Sequence, residues 1–361
     1  MRRQYFNFWR YKLPKLFKYV VIFFAVQLLL SEETLATSKD SKLANAHLLA
    51  ELPIHIVDNR VQLDLVVEGY HLKFALDTGA SRTVLFQSNN YSFEDLPTIG
   101  EAQVAFPALD EIISGITLAP LNIKLGRHAF HAARPLLIKQ RPPIGDRLSF
   151  KFDGILGRDF FERYVIEVDP KKEILRLFRS GTNLNNRFKT ILPLHMKGNT
   201  AHIRFRTKLP WENTPSMKDM MLDTGYPGAM VIWKGRHFRQ AASASETEQL
   251  VRENIGIVTQ ANFRLSKLRF LHIPVFLAPK EPIQAQRRDG LIGSSILIQF
   301  HHVFDFGGGR LLLTGIHETS AQNFYQLESH IYPPNNEGFI VKNYAPPLPT
   351  GPGHNNTGYK H

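Results

Sequence analysis

Apolar and polar residues alternate along most of the chain between residues 50 and 315, the period of a strand with one buried face. LPIHIV (52–57), VQLDLVVE (61–68) and YHLKFALD (70–77) set the pattern, rich in Val, Ile, Leu and Phe. ITLAPLNIKLG (116–126) and FHAARPLLI (130–138) extend it. AHIRFRT (201–207), GIVTQANFRL (256–265) and LRFLHIPVFLA (268–278) repeat it further on. YVIEVDPKKEILRLF (164–178) and HHVFDFGGGRLLLTG (301–315) read as hairpins, with Pro170 and its lysines or Gly307 to Gly309 in the turns. Helical spacing is confined to 159–164, 241–253 and 294–300. The pattern predicts an all-β protein.

The chain also repeats itself. FALDTGASRTVLF (74–86) is matched by MMLDTGYPGAMVI (220–232), and DGILGRDFF (153–161) by DGLIGSSIL (289–297). In each half an apolar strand runs into Asp-Thr-Gly, an Asp-Gly-apolar-apolar-Gly turn follows, and one of the two hairpins comes next. Two lobes are expected, 48–181 and 190–318, joined by the polar stretch 180–189.

Composition narrows the chemistry. The 361 residues contain no Cys, which removes disulfides, thiolate metal sites and cysteine nucleophiles together. Fifteen histidines show no HExxH or comparable ligand spacing, so no metal is expected and no cofactor either. Gly307 to Gly309 lacks the Lys-Ser/Thr of a phosphate loop, and no GxSxG elbow occurs. The net charge of +12 is partly Arg2, Arg3, Arg10, Lys12, Lys15 and Lys18, and the rest forms no basic block, so no nucleic-acid partner is expected.

Those basic residues precede the uncharged run YVVIFFAVQLLL (19–30) and Ala36. Residues 1–36 read as a signal peptide cleaved after Ala36, or as an uncleaved signal anchor that would give membrane association. Either places the body outside the cytoplasmic membrane, periplasmic or anchored and facing outward. Residues 319–361, with PPNN and APPLPTGPG, read as a disordered Pro/Asn/Gly-rich tail.

The paired loops suit one reaction. Leu76 and Leu222 end apolar strands, so Asp77 and Asp223 emerge from cores into a cleft. Gly79 and Gly225 lack Cβ and permit close backbone approach or positive φ. The hydroxyls of Thr78 and Thr224 can brace one loop against the other. Two carboxylates held a few Å apart share one proton, the ionised one activating a water and the protonated one polarising a carbonyl.

FALDTGAS with DGILGRDFF resembles the retropepsin-like branch of the aspartic proteases, in the form common in bacteria. The resemblance implies two acid-protease β-barrel lobes related by a pseudo-two-fold axis, with a polypeptide substrate lying between them. It implies that Asp77 and Asp223 are catalytic and that Thr78, Gly79, Thr224 and Gly225 shape the loops. It also implies that Ser81 steadies the outer oxygen of Asp77, and that the turns Ile155-Leu156-Gly157 and Leu291-Ile292-Gly293 pack beside the loops. A flap is expected at 103–116 with its tip at 106–110, and a second near 253–262. The second lobe departs from the pattern: Tyr226-Pro227 replaces Ala80-Ser81, and Pro227 donates nothing. Asp223 is therefore expected to hold the shared proton.

Three readings follow: a monomeric endopeptidase using both loops, a homodimer pairing Asp77 with its counterpart in a second copy, and a non-enzymatic binder of extended peptide. Substrates would be extended segments of exported or cell-envelope proteins, and a shared-proton pair works below neutral pH.

Overall fold

The alternating segments form strands in the computed structural model, which describes residues 47–88, 90–106, 111–139, 152–209, 212, 214–233, 256–278, 289–315, 318–320 and 339–340. The N-terminal segment 1–36, the helix expected at 241–253, the flap tip at 107–110 and most of the tail lie outside these residues.

The first half comprises β1 (Leu48–Pro53), β2 (His55–Val57), β3 (Arg60–Val67), β4 (Tyr70–Leu76), β5 (Val84–Phe86), β6 (Thr98–Phe106), β7 (Glu111–Leu118), β8 (Leu121–Leu125), β9 (His128–Ala132), β10 (Leu136–Ile138), β11 (Gly154–Leu156), a helical turn α1 (Arg158–Phe161), β12 (Tyr164–Asp169) and β13 (Ile174–Arg179). The second comprises β14 (Thr190–Pro193), β15 (His195–Lys197), β16 (Thr200–Lys208), β17 (Ser216–Asp223), β18 (Met230–Trp233), β19 (Gly256–Leu265), β20 (Leu268–Ala278), β21 (Gly290–Gly293), α2 (Ser294–Leu297), β22 (His301–Asp305), β23 (Arg310–Thr314), β24 (Glu318–Ser320) and β25 (Phe339–Ile340). The fold is all-β and bilobal.

Alternation becomes burial. In β3 and β4 the side chains of Leu63, Leu65, Leu72, Phe74 and Leu76 are buried, while Asp64, His71 and Lys73 point to solvent. Pro120 and Pro135 split two of the expected strands, dividing 116–126 into β7 and β8 and 130–138 into β9 and β10. The helices expected at 159–164 and 294–300 are single turns, since strands β12 and β22 begin directly after them.

Each half has its own sheet with the same central topology. In the first, β4 runs parallel to β11, which pairs antiparallel with β5, which runs parallel to β10. In the second, β17, β21, β18 and β20 repeat that order and those directions. The ladder between β16 and β19 closes the second sheet on itself.

A third sheet belongs to both halves. Its order is β1-β13-β12-β22-β23-β14, so each hairpin predicted from sequence contributes two strands. β12 and β22 make the junction, with Ile166 opposite Phe304 and Val168 opposite His302. Phe161 packs edge-on to Phe304 and stacks on Phe306, joining the apolar cores of the two halves. Glu167, buried at this junction, accepts from Arg187 at 2.8 Å and lies 2.7 Å from Nε2 of His301.

One feature corrects the sequence reading. Part of the expected disordered tail is strand: β24 pairs with β20 and β25 with β19. Main-chain pairing to an open edge needs no apolar periodicity, which is why composition did not reveal it. Of the second expected flap, 256–262 form the first part of the long strand β19, paired with β20, and 253–255 lie outside the described residues. In the first half, β6 and β7 do form a hairpin across 103–116, with Phe106 opposite Glu111.

Candidate active site

The site is built from the ends of two equivalent strands. β4 delivers Asp77 and β17 delivers Asp223, and each strand is held from beside by the Gly turn of its own half. The Asp77 amide donates to the Leu156 carbonyl at 3.0 Å, and Asp223 lies opposite Gly293 in the β17–β21 ladder. Asp153 and Asp289, which open those turns, accept the amides of Lys73 and Asp219 at 2.9 and 2.8 Å. Ile155, Leu156, Leu291 and Ile292 are buried behind the loops. A Cβ on Gly157 would overlap Arg82 backbone, and one on Gly293 would overlap the Gly228 carbonyl, so both turns need glycine for closeness.

The loops themselves are cross-braced. The Thr78 hydroxyl donates to the Leu222 carbonyl at 2.7 Å and the Thr224 hydroxyl to the Leu76 carbonyl at 2.9 Å. Each hydroxyl also accepts the amide of the other threonine, at 3.0 and 3.1 Å. Both threonines are buried, so every polar group in the brace depends on the other half.

Within each loop the carboxyl is fixed by its own backbone. Asp77 Oδ1 accepts the amides of Gly79 at 2.8 Å and Ala80 at 3.1 Å; Asp223 Oδ1 accepts those of Gly225 at 3.0 Å and Tyr226 at 3.2 Å. Gly79 and Gly225 are needed for proximity, and neither has positive φ. A Cβ on Gly79 would stand 2.7 Å from Asp223 Oδ1, and one on Gly225 would strike the Asp77 carboxylate. The glycine of each loop thus faces the carboxyl of the other.

The two carboxyls face one another across the loops, each beside the glycine of the other, and each acts on the other's proton affinity. Enclosure by protein raises both pKa values above the ordinary carboxylate range. For Asp77 the rise is opposed by the Gly79 and Ala80 amides, by the neighbouring Asp223 carboxyl and by the Arg60 guanidinium. For Asp223 the Asp77 charge adds to the rise, pushing it up to about 8. Asp223 is the member that keeps the proton.

No protein-family model matches the chain, and no curated protein matches it. Among solved structures, basic 7S globulin from soybean is similar over 73% of this chain and 94% of its own, at 12% sequence identity and a TM-score of 0.43.

Ser81 does not take the position expected of it. Its side chain is exposed, and no hydrogen bond from its hydroxyl is found among the described residues. Asp77 is held by main-chain amides instead, and the same amides are supplied at Asp223 despite Pro227. The difference between the two aspartates therefore arises from enclosure and neighbouring charge, rather than from a missing serine.

Sequence reasoning passed over two groups. Arg60, at the head of β3, is buried beside the loop. In the second half His195 and His202 converge on Asp219 Oδ1 at 3.1 and 2.9 Å, close enough for three donors to share a metal ion. Lys197 and Arg204 already engage the other carboxylate oxygen, which makes the cluster an ion-pair network and sets two positive charges against a cation. Its spacing, 195, 202 and 219 on three adjacent strands, follows no short motif.

Proposed function

We propose that the chain is an aspartic-type endopeptidase in which Asp77 and Asp223 of one molecule form the reacting pair. The observation that carries this reading is the two-fold arrangement of the Asp-Thr-Gly loops. It sets two carboxyls facing one another across the loops, enclosed on the protein side and each keeping an accessible edge. Two like charges at that distance cannot both form, so one proton is shared.

Asp77, bonded to two amides, is the carboxylate that takes a proton from a water placed between the pair. Asp223 carries the shared proton and donates it toward the carbonyl oxygen of the peptide bond, so the carbon becomes open to the water. Collapse of the tetrahedral species returns a proton to the leaving amine. The braces at Thr78 and Thr224 keep the carboxyls in register, which makes the geometry available before substrate arrives. No metal or cofactor enters the scheme.

The substrate is an extended polypeptide, and apolar side chains suit a cleft between two apolar-cored lobes. The partner of Asp77 is on the same chain, so a monomer is the active species. The export signal read from residues 1–36 directs the activity to exported or cell-envelope proteins. No helix among the described residues is long and apolar enough to cross a membrane.

Incubating the purified chain and its Asp77→Asn variant with a diverse peptide mixture across pH 3.5 to 7.5 tests the reading. Cleavage by the wild type alone supports it. Folded wild-type protein that cuts nothing removes it in favour of peptide binding.

A further inference from the structure

We infer that Tyr226 sets the side-chain preference of the cleft, filling the apolar subsite beside Asp223 so that only the one beside Asp77 takes a bulky apolar residue. The inference rests on the reading of Asp77 and Asp223 as a reacting pair and names the substrate side chains of that site.

Each half carries a row of cross-strand neighbours on the face of its sheet that bears the aspartate. Ala75 stands two residues before Asp77, and Met221 two before Asp223, so alternation puts each on the aspartate's face. From Ala75 the row runs across the first sheet through Ile155 and Val84 to Leu136. From Met221 it runs across the second through Leu291 and Val231 to Phe276. Ile155, Val84 and Leu136 belong to a small apolar cluster apart from the main core, and Met221, Leu291 and Val231 belong to its counterpart. An apolar surface that begins at the reacting carboxyl is where a side chain flanking the cut bond would lie.

The two rows differ at the end nearest the carboxyls. Tyr226 takes the backbone place of Ala80. The amide of each donates to the aspartate of its own loop, at 3.2 and 3.1 Å. The carbonyl of each accepts the amide that follows the Gly turn, from Ser294 and Arg158, both at 2.9 Å. Only the side chain changes. Tyr226 packs on the cluster that holds Met221, Val231 and Leu291. A Cβ on Gly228 would stand 2.7 Å from its ring, and one on Gly293 would stand 2.6 Å from its Cδ1. The ring is thus seated where two glycines of its own half leave room for it.

In the first half the small side chains of Ala75 and Ala80 occupy those positions, and the β6–β7 hairpin supplies the cover. Ala102, Val104 and Ile113 of that hairpin pack on the cluster beneath, and they and Ala80 keep part of their surface exposed. A concave apolar surface therefore remains beside Asp77, while Met221 and Tyr226 take the matching volume beside Asp223. An extended substrate crossing both loops sends the side chains on either side of the cut bond to opposite rows. One of them is bulky and apolar, such as Leu or Phe, and the other is small, such as Gly, Ala or Ser.

The experiment uses the full chain and peptides built on one that the wild type cuts, with Ala or Phe at each position flanking the cut. At one flank the wild type should favour Ala over Phe by roughly 10–100-fold in kcat/KM, and at the other it should favour Phe. Tyr226→Ala should bring the first ratio to within about threefold of unity and leave the second in place. Tyr226→Phe should keep both ratios. Tyr226→Val gives the same readout if the Ala variant does not fold. A wild type that takes Phe equally at both flanks, or an unmoved ratio in the active Ala or Val variant, overturns the inference and leaves the protease reading standing.

If the wild type cuts nothing, the protease reading fails while the subsite is still tested by binding. The probes are Lys-ended alanine decapeptides with one Phe or two adjacent Phe, titrated by calorimetry. The wild type should bind both alike, and Tyr226→Ala should bind the two-Phe peptide roughly tenfold more tightly than the one-Phe peptide. Equal affinities in Tyr226→Ala, or no binding of either peptide, overturn the inference by themselves.

Discussion

Thr78 and Thr224 are each other's hydrogen-bond partners in both directions, amide to hydroxyl, and each hydroxyl then caps the strand that carries the other loop. Replacing Thr224 by Val keeps its shape and deletes two of the four bonds, leaving the Thr78 amide and the Leu76 carbonyl buried without them. The expected cost is about 2–6 kcal/mol, from a penalty of about 1–3 kcal/mol for each of the two stranded groups. Thr224→Ser should recover most of it. Urea denaturation of the three proteins measures both numbers.

Ser81 and Gly225 should respond in opposite ways. Ser81→Ala touches an exposed hydroxyl with no partner among the described residues, so stability should stay within about 0.5 kcal/mol and turnover within about twofold. Gly225→Ala drives a methyl group into the Asp77 carboxylate and should abolish cleavage by separating the loops. A large loss in Ser81→Ala would restore the hydroxyl to the site.

The two aspartates should not be equivalent under substitution. In the proposed reaction Asp223 is the protonated donor, and the amide of Asn can still donate a hydrogen bond from that position. Asp223→Asn should therefore retain a trace of turnover, reduced by about 10²–10⁴-fold, while Asp77→Asn should retain none. Equal loss in both, measured with a sensitive fluorogenic peptide, would contradict the asymmetry.

Stability should bend in opposite directions with pH because of two carboxyls on the same strand. Asp223 binds its proton more tightly in the folded chain than in the unfolded one. Its contribution is complete below the unfolded value of about 4 and is lost as pH rises towards about 8. Asp219 is the reverse case. Enclosure would raise its pKa, but Lys197 and His202 outweigh that and hold it far below the ordinary range. Its contribution is present above about 4 and is lost as pH falls below that value. Thermal midpoints against pH should flatten on the alkaline side in Asp223→Asn, and on the acid side in Asp219→Asn.

The sequence made the repeated unit legible because the loop geometry is local. Strand alternation, Asp-Thr-Gly and the Gly turn each occupy a few consecutive residues, and β4, β11, β17 and β21 stand where that pattern put them. What joins distant segments left no such mark. Nothing in YVIEVD or HHVFD says that β12 and β22 pair, since a strand buried on both faces reads the same beside any neighbour. Arg60 went unnoticed because a charge at the start of an alternating strand reads as a solvated end. His202, with no accessible surface, went unnoticed because its partner Asp219 lies on the next strand. The role of Ser81 was inferred from likeness alone, and the backbone amides that do its work have no sequence signature.

The shared six-stranded sheet also has a consequence for the order of assembly. β12 has β13 as an immediate hairpin neighbour, but its other edge waits for β22, which follows almost the whole second half of the chain. Until then a first half that has otherwise assembled presents an unpaired, apolar strand edge to its surroundings. Closing so distant a ladder is a slow step, because loop entropy is lost before the contacts are gained. The junction that joins the two halves is thus the last to form and the place where self-association would compete with completion.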